Sequence, residues 1–255
     1  MECMSTTQAI HVASYNIHKG LSHFNRRLTI HEMRDKLHSL NVDIVFLQEV
    51  QGIHEVRAAR FPHWPDKPQL EFLADKLWTD FAYGKNAVYD EGHHGNAILS
   101  RYPILSWENL DISSHMMESR GMLHCELHPP GWSEPLHCIN VHLALTEGGR
   151  SRQMRMIAER IRESVPQAAP LILAGDFNDW RMRASAWLAD ELGLKEVFEM
   201  QHGRHARSFP SVLPMVSLDR IYVRGLSVQT CAVHAGPLWH RLSDHAALTA
   251  TLAPT

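Results

Sequence analysis

Eight polar side chains stand where apolar runs stop, and as a set they could hydrolyse a phosphate ester. Asn16 follows IHVASY, Glu49 follows DIVFLQ and His142 lies near the end of INVHL. LILAGDFND delivers Asp176 and Asn178, SLDRIYV opens with Asp219, and RLSDHAAL sets Asp244 and His245 just ahead of the last apolar run. Carboxylates and amides are hard oxygen donors that suit Mg²⁺ or Mn²⁺ rather than zinc. His142 and His245 can carry protons near neutral pH, and an aspartate beside a histidine fixes its tautomer. Metal-assisted attack of water on a phosphorus ester fits this inventory. The chain has no G-x-x-x-x-G-K-[ST] phosphate loop, no H-E-x-x-H pair and no G-x-S-x-G elbow.

Taken singly, each residue has an ordinary structural meaning. A glutamate after a strand is solvated, an asparagine there makes a turn, an aspartate before a helix caps it, and a histidine in a strand packs in a core. Their common position at strand edges is what counts, because the edges of layered sheets converge on a shared rim.

The elements that must hold them are short Val- and Ile-rich runs bounded by turn residues. Strands are expected at residues 10–15, 43–47, 96–99, 123–127, 136–141, 170–174, 218–223 and 246–252. Helical spacing marks residues 29–40, with Asn41 as the stop, and residues 69–77, 151–165 and 183–192. The runs around Leu123 and Leu136 read as a hairpin turning at Pro129-Pro130-Gly131, and Gly175 reads as the permit for a sharp turn. Strands first alternate with helices and later follow one another, which predicts mixed sheets flanked by helices. Residues 62–68 and 203–214 are the most loop-like segments. Neither interrupts the patterning for long, so a single domain over residues 1–255 is expected.

Apolar residues make up 44% of the 255 residues, enough for a substantial core. The net charge is −3 and the sequence pI is about 6.7, which argues against a basic coat for non-specific nucleic-acid binding. It leaves a phosphate substrate open, since ions or local arginines can supply positive charge. Cys3, Cys125, Cys138 and Cys231 form no C-x-x-C and are too few for a disulfide scaffold, so free thiols are expected. The N-terminus lacks a basic region followed by an apolar core, and no apolar run approaches the length of a membrane span. A cytoplasmic protein is expected.

The ordered set resembles the endonuclease/exonuclease/phosphatase, or DNase I-like, superfamily from Asn16 to His245. GDFN and the terminal SDH are its most specific pieces, supported by LQEV, GNAILSR and LDRIYV. The resemblance implies a four-layer αββα sandwich of two mixed sheets with the site at one rim. It implies Glu49 as main metal ligand with Asn16 beside it, and Asp244 helping to bind metal or water. Asp176 would position or activate the attacking water. Asn178 and His142 would hold phosphate oxygens, with Arg120 of ESRGML as a further phosphate contact. Asp219 would orient His245, which would act as base or phosphate contact. Hydrolysis would be a single in-line displacement assisted by Mg²⁺ or Mn²⁺.

Other residues carry lesser expectations. Asp179 suits a helix cap, and Trp180 suits packing more than a cleft wall. His94 and Asn96 lie on a loop that could reach the cleft. Arg181 and Arg183 are close enough to serve a charged substrate. Met116-Met117 and SFPSVLPM suit packing under a loop rather than lipid contact. The function is therefore expected to be hydrolysis of a nucleic acid or small phosphodiester. A phospholipid-headgroup diesterase is the alternative, and a phosphate-binding module without chemistry is disfavoured because no reacting residue is missing.

Overall fold

The computed structural model describes residues 8–116 and 118–255; the expectations on the first residues, Cys3 and Met117 lie outside the described residues. All eight expected strands form, as β1 (Ile10–Asn16), β2 (Ile44–His54), β4 (Gly92–Ser100), β6 (Gly121–Leu127), β7 (Leu136–His142), β8 (Leu171–Asp176), β10 (Asp219–Arg224) and β12 (Ala247–Pro254). Four more join them: β3 (Asp80–Tyr89), β5 (Ile104–Asp111), β9 (Lys195–Glu196) and β11 (Leu226–His234). One sheet runs β11-β12-β1-β2-β4-β3 and the other β5-β6-β7-β8-β10-β9. The four added strands are thus the four sheet edges. β1 with β2 and β7 with β8 are parallel pairs among antiparallel neighbours, so both sheets are mixed.

The expected helices form as α1 (Ile30–Ser39), α3 (Gln69–Ala74), α4 (Glu147–Ser164) and α5 (Ala184–Leu192), with α2 (Glu55–Arg60) and α6 (Val197–His202) in addition. Asn41, at φ 51°, sits just past α1 in the left-handed conformation that ends helices. α3 stops three residues early at Asp75, and α4 starts four residues early because the Thr146 hydroxyl accepts the Gly149 amide. Among the described residues no helix is long and apolar enough to cross a membrane.

Alternation along the strands builds the layers. Ile10 and Val12, Ile44 and Phe46, Ile172 and Ala174, and Ile221 and Val223 point between the sheets into one buried core. The intervening residues face outward. Tyr15, Val45 and Leu47 pack on Met33, Leu37 and Leu73, while Val141, Leu173 and Tyr222 pack on Ile157, Ile161 and Leu188. Helix, sheet, sheet, helix is the resulting order, with the inner strands covered on both faces and the edge strands β5 and β11 partly exposed.

Gly175 departs from its expected role. It lies inside β8 rather than in a turn, and a Cβ there would stand 1.9 Å from the Val141 carbonyl oxygen, at φ +142°. Glycine is needed so that β8 can close against its parallel neighbour.

His124 and His137 form a buried pair on β6 and β7, with Nε2 and Nδ1 3.0 Å apart. Burial holds both rings below their ordinary value of 6.5, more than Glu108 beside His124 offsets. As pH falls below about 6.5, the unfolded chain therefore takes up protons before the folded one, and stability declines. Urea unfolding between pH 7.5 and 5 should show that decline, and it should be shallower in the His124→Leu/His137→Leu double variant. Identical slopes would show that the pair is not held neutral.

Candidate active site

The rows that fill the core turn polar at one end. In β8 the inward row Ile172, Ala174 continues to Asp176; in β7 Cys138 and Asn140 lead to His142; in β10 Asp219 precedes Ile221. Register sets His142 and Asp219 on either side of Asp176, one on each neighbouring strand. From the facing sheet, Asn16 ends β1 and its Nδ2 donates to Asp176 Oδ2 at 3.1 Å. His245, just ahead of β12, brings Nε2 to 3.7 Å from the same oxygen, and His142 Nε2 lies at 3.6 Å. Asp219 Oδ2 accepts from His245 Nδ1 at 2.8 Å. All five side chains are buried.

Glu49 arrives by a break in the ladder. Leu47 pairs with Ala97, but the next pair is Val50 with Gly95, so two residues of β2 face one of β4. This bulge holds Glu49 at φ 56°, a conformation that non-glycine residues adopt only when their surroundings impose it. Asn140 is the support beneath. Its Nδ2 donates to the Leu47 and Ala97 carbonyls at 2.8 and 2.9 Å, and its Oδ1 accepts from Gln48 Nε2 at 2.8 Å. Glu49 Oε2 is buried, and the Lys19 ammonium 2.9 Å away is its one partner among the described residues. On the other side of the same turn, His18 Nδ1 lies 3.3 Å from Asp244 Oδ1.

Two imidazoles flank one carboxylate and differ in charge. Burial opposes protonation of His245, but Asp219 and Asp176 outweigh it and push its pKa up to about 10. Burial, reinforced by the Arg120 guanidinium, brings His142 down to about 4 despite Asp176. At neutral pH the His245–Asp176 contact is therefore an ion pair and the His142–Asp176 contact is not. Burial also opposes ionisation of Glu49, yet Lys19 and His142 hold its carboxyl well below the usual range.

The structure brings together Asn16, His142, Asp176, Asp219 and His245, with Asn178 close by. The Asn178 amide N donates to Asp176 Oδ1 at 2.9 Å and its Nδ2 to the Leu143 carbonyl at 3.0 Å. Arg120 lies near enough to depress His142, and its Nε is buried without a hydrogen-bond partner. His94 answers to the same charges: burial first, then Lys19, bring it to about 4 despite Glu49. Glu49 and Asp244 stand apart from the tightest group of ligand atoms, which is Asp176, Asp219 and His245 within 4.8 Å. Both ends of the Asn16 amide are engaged, since its Oδ1 accepts from the His18 amide. Asp179 accepts from the Ala184 amide at 2.8 Å and so caps α5 as expected. Trp180 does not pack: it is 55% exposed, with the Arg150 guanidinium 5.8 Å from its ring centre. Arg181 and Arg183 both pair with Glu147. Lys19 and Asn140 are the contributors that motif reasoning passed over.

Two six-stranded mixed sheets with a carboxylate–histidine cluster at one rim define a class. The endonuclease/exonuclease/phosphatase family model matches residues 13–245, and the chain belongs to that family. It is 48% identical over 241 residues to the uncharacterised protein YbhP of Escherichia coli K12, covering 94% of this chain and 95% of that one. In fold it is similar to an endonuclease/exonuclease/phosphatase from Beutenbergia cavernae, with TM-score 0.76, 17% identity and coverage of 97% and 72% of the two chains. It is also similar to Danio rerio TDP2 complexed with a single-strand DNA product, with TM-score 0.69, 20% identity and coverage of 96% and 99%.

The Asn140 bridge generates a test. In Asn140→Leu, two buried carbonyls lose the donor this side chain supplies, each worth roughly 1–3 kcal/mol, and the Gln48 amide keeps only its 3.3 Å bond to the Phe46 carbonyl. Urea unfolding should show a loss of at least about 2 kcal/mol. A variant as stable as the parent would show that the bulge stands without this side chain.

Proposed function

We propose that the chain is a divalent-metal-dependent phosphodiester hydrolase that uses an activated water. The observation that carries this reading is Asp176 set between a neutral His142 and a charged His245. A cationic imidazole 3.7 Å from a carboxylate sets a proton donor beside a proton acceptor at one point of the rim. Family membership supports phosphoester chemistry.

The metal fits this donor set through Glu49. A buried carboxylate oxygen whose one partner is the Lys19 ammonium has acceptor capacity left that Mg²⁺ or Mn²⁺ satisfies. Glu49 would hold the ion with Asn16 and Asp244, and a bound ion would supply Lewis-acid polarisation of a phosphoryl oxygen.

The remaining steps belong to the chain's own atoms. Asp176 Oδ2 takes a proton from water as the new P–O bond forms. His245 Nε2 gives its proton to the departing ester oxygen as the old P–O bond breaks. Asp219 keeps His245 in position through Nδ1 and raises its affinity for that proton. His142, Asn178 and Arg120, whose Nε has Glu118 at 4.0 Å but no hydrogen-bond partner, face the charge that builds on the other phosphate oxygens. His245 thus serves as acid and phosphate contact, and Asp176 alone is the base.

The purified protein should hydrolyse bis-p-nitrophenyl phosphate with Mg²⁺ or Mn²⁺ and stop in EDTA. Asp176→Asn and His245→Ala should each lower turnover by roughly 10²–10³ while leaving the circular dichroism spectrum unchanged. Parental turnover in either variant, or undiminished activity in EDTA, would refute the scheme.

A further inference from the structure

The turn after β1 carries more than the lysine that faces Glu49. His18 and Lys19 stand at φ 44° and 61°, a conformation that only their surroundings can impose on such residues. Those surroundings are polar and specific. The His18 amide donates to Asn16 Oδ1 at 3.1 Å. Gln69 Nε2 donates to the Lys19 carbonyl at 2.7 Å, while Gln69 Oε1 accepts from the Gln51 amide at 2.9 Å, just past Glu49 on β2. The turn is thus fastened to the strand that delivers Glu49.

Asp244 is fixed from the other side. The Ser243 hydroxyl donates to the Asn16 carbonyl at 2.7 Å. The Ser211 amide donates to the Asp244 carbonyl at 2.7 Å from a small hairpin, residues 208–218, closed by a bridge between Phe209 and Val216. The tip of that hairpin is not packed under a loop as SFPSVLPM suggests: Val212, Leu213 and Met215 are largely exposed, and so is Met116.

Between these supports, His18 Nδ1 lies 3.3 Å from Asp244 Oδ1 and yet is buried without a hydrogen-bond partner. An imidazole held as the partner of a carboxylate is aligned on it, as His245 Nδ1 is on Asp219 at 2.8 Å. His18 is close to Asp244 but not aimed at it. Asp244 and Glu49 are the carboxylates whose charges reach its ring. Two ligand atoms bonded at about 2.1 Å to one ion lie about 3.0 Å apart at right angles and about 3.4 Å apart in a tetrahedron. The His18–Asp244 separation of 3.3 Å falls within that range.

The donor type bears on which ion such a centre selects. Mg²⁺ keeps to oxygen ligands and water, whereas an imidazole nitrogen strengthens binding along the first-row series from Mn²⁺ onward. We propose that His18 Nδ1 is a metal ligand beside Asp244 and Glu49, and that the centre thereby selects Mn²⁺ or a heavier first-row dication over Mg²⁺. The proposal rests on the reading above that Glu49 and Asp244 hold an ion, and goes beyond it in naming a nitrogen donor and the class of ion. His23 Nδ1, half exposed and 4.0 Å from Asp244 Oδ2, is the neighbouring imidazole that serves as control.

The test titrates the full chain with Mn²⁺, read by electron paramagnetic resonance of the free ion, and with Mg²⁺ by competition. The parent should bind Mn²⁺ at least ~100-fold more tightly than Mg²⁺. Loss of a residue that merely supports a ligand costs roughly 10–100-fold in affinity, so His18→Asn should weaken Mn²⁺ by at least ~10-fold and Mg²⁺ by less than ~3-fold. His18→Asp, an oxygen donor, should retain Mg²⁺ and lose at least ~10-fold of the discrimination. His23→Asn should change neither affinity by more than ~3-fold. Electron spin echoes of the Mn²⁺-loaded chain should show the coupling of a directly bound imidazole nitrogen in the parent and not in His18→Asn. Circular dichroism shows whether His18→Asn folds; if it does not, His18→Asp carries both comparisons. Equal affinity of the parent for the two ions, nitrogen coupling that survives the substitution, or an equal loss in His23→Asn overturns the proposal. Turnover of bis-p-nitrophenyl phosphate is followed in the same preparations. Selective binding without turnover leaves the His18 ligand standing and removes the hydrolase reading, turnover with no preference between the ions does the reverse, and binding of neither ion overturns both.

Discussion

Strand alternation under a locked register is the constraint from which the site follows. A side chain two residues beyond an inward-facing one faces inward as well, and no strand can escape that without a bulge. Ile172 and Ala174 are in the core, so Asp176 must point between the sheets. Hydrogen bonding to β7 and β10 then leaves no freedom in which residues flank it, and His142 and Asp219 are those residues. The apolar rows are therefore both core and scaffold. A slip of one residue in β8 would turn Ile172 and Ala174 toward the helices and carry Asp176 with them.

Glu49 shows what happens where alternation cannot deliver the side chain that is needed. Gln48 continues the inward row of β2, and it spends its amide on Asn140. The bulge re-aims the next residue at the expense of a strained φ and of a break in the ladder, and Asn140 repairs the break by donating to the two carbonyls beside it. The apparent contradiction of a polar residue in the middle of a dry core is resolved by these bonds. Buried carbonyls without partners would be worse than a buried amide with three.

The eight inner strands were legible because each is apolar on both faces, and a short run of Val, Ile and Leu between turn residues has few other readings. The four edge strands were not. β5 exposes Leu105 and Trp107 and β11 alternates weakly, because an edge packs on fewer sides and its composition records less. Site residues at strand ends were legible by type and place. Lys19 was hidden: a lysine in NIHKG reads as solvated, and its pairing with Glu49 depends on a turn in which His18 and Lys19 are left-handed as well as Gly20. Asn140 was hidden because nothing in INVHL distinguishes an inward asparagine from an outward one without the register. The apolar stretch of residues 209–215 was misread for a related reason. Local hydropathy reports that such residues avoid water, not whether the rest of the fold offers them cover.

That stretch and His245 are one mechanical unit. Ser208 accepts amides from Leu218 and Asp219 and its carbonyl accepts from Ala246, while Ser211 bonds the carbonyls on either side of the Ser243–Asp244 peptide. His245 is thereby fixed between Asp219 and the Phe209 ring by bonds that also fix the hairpin's direction. A loop tethered only by flexible linkers could bury its tip in many surfaces without orienting the site. This one cannot tilt without straining the peptide that carries His245. Whatever surface receives Val212 and Leu213 is consequently presented to Asp176 and His245 in a set orientation. Since Val212, Leu213 and Met215 remain largely exposed, the tip adds little to the core, and its apolar character answers to contacts outside the chain.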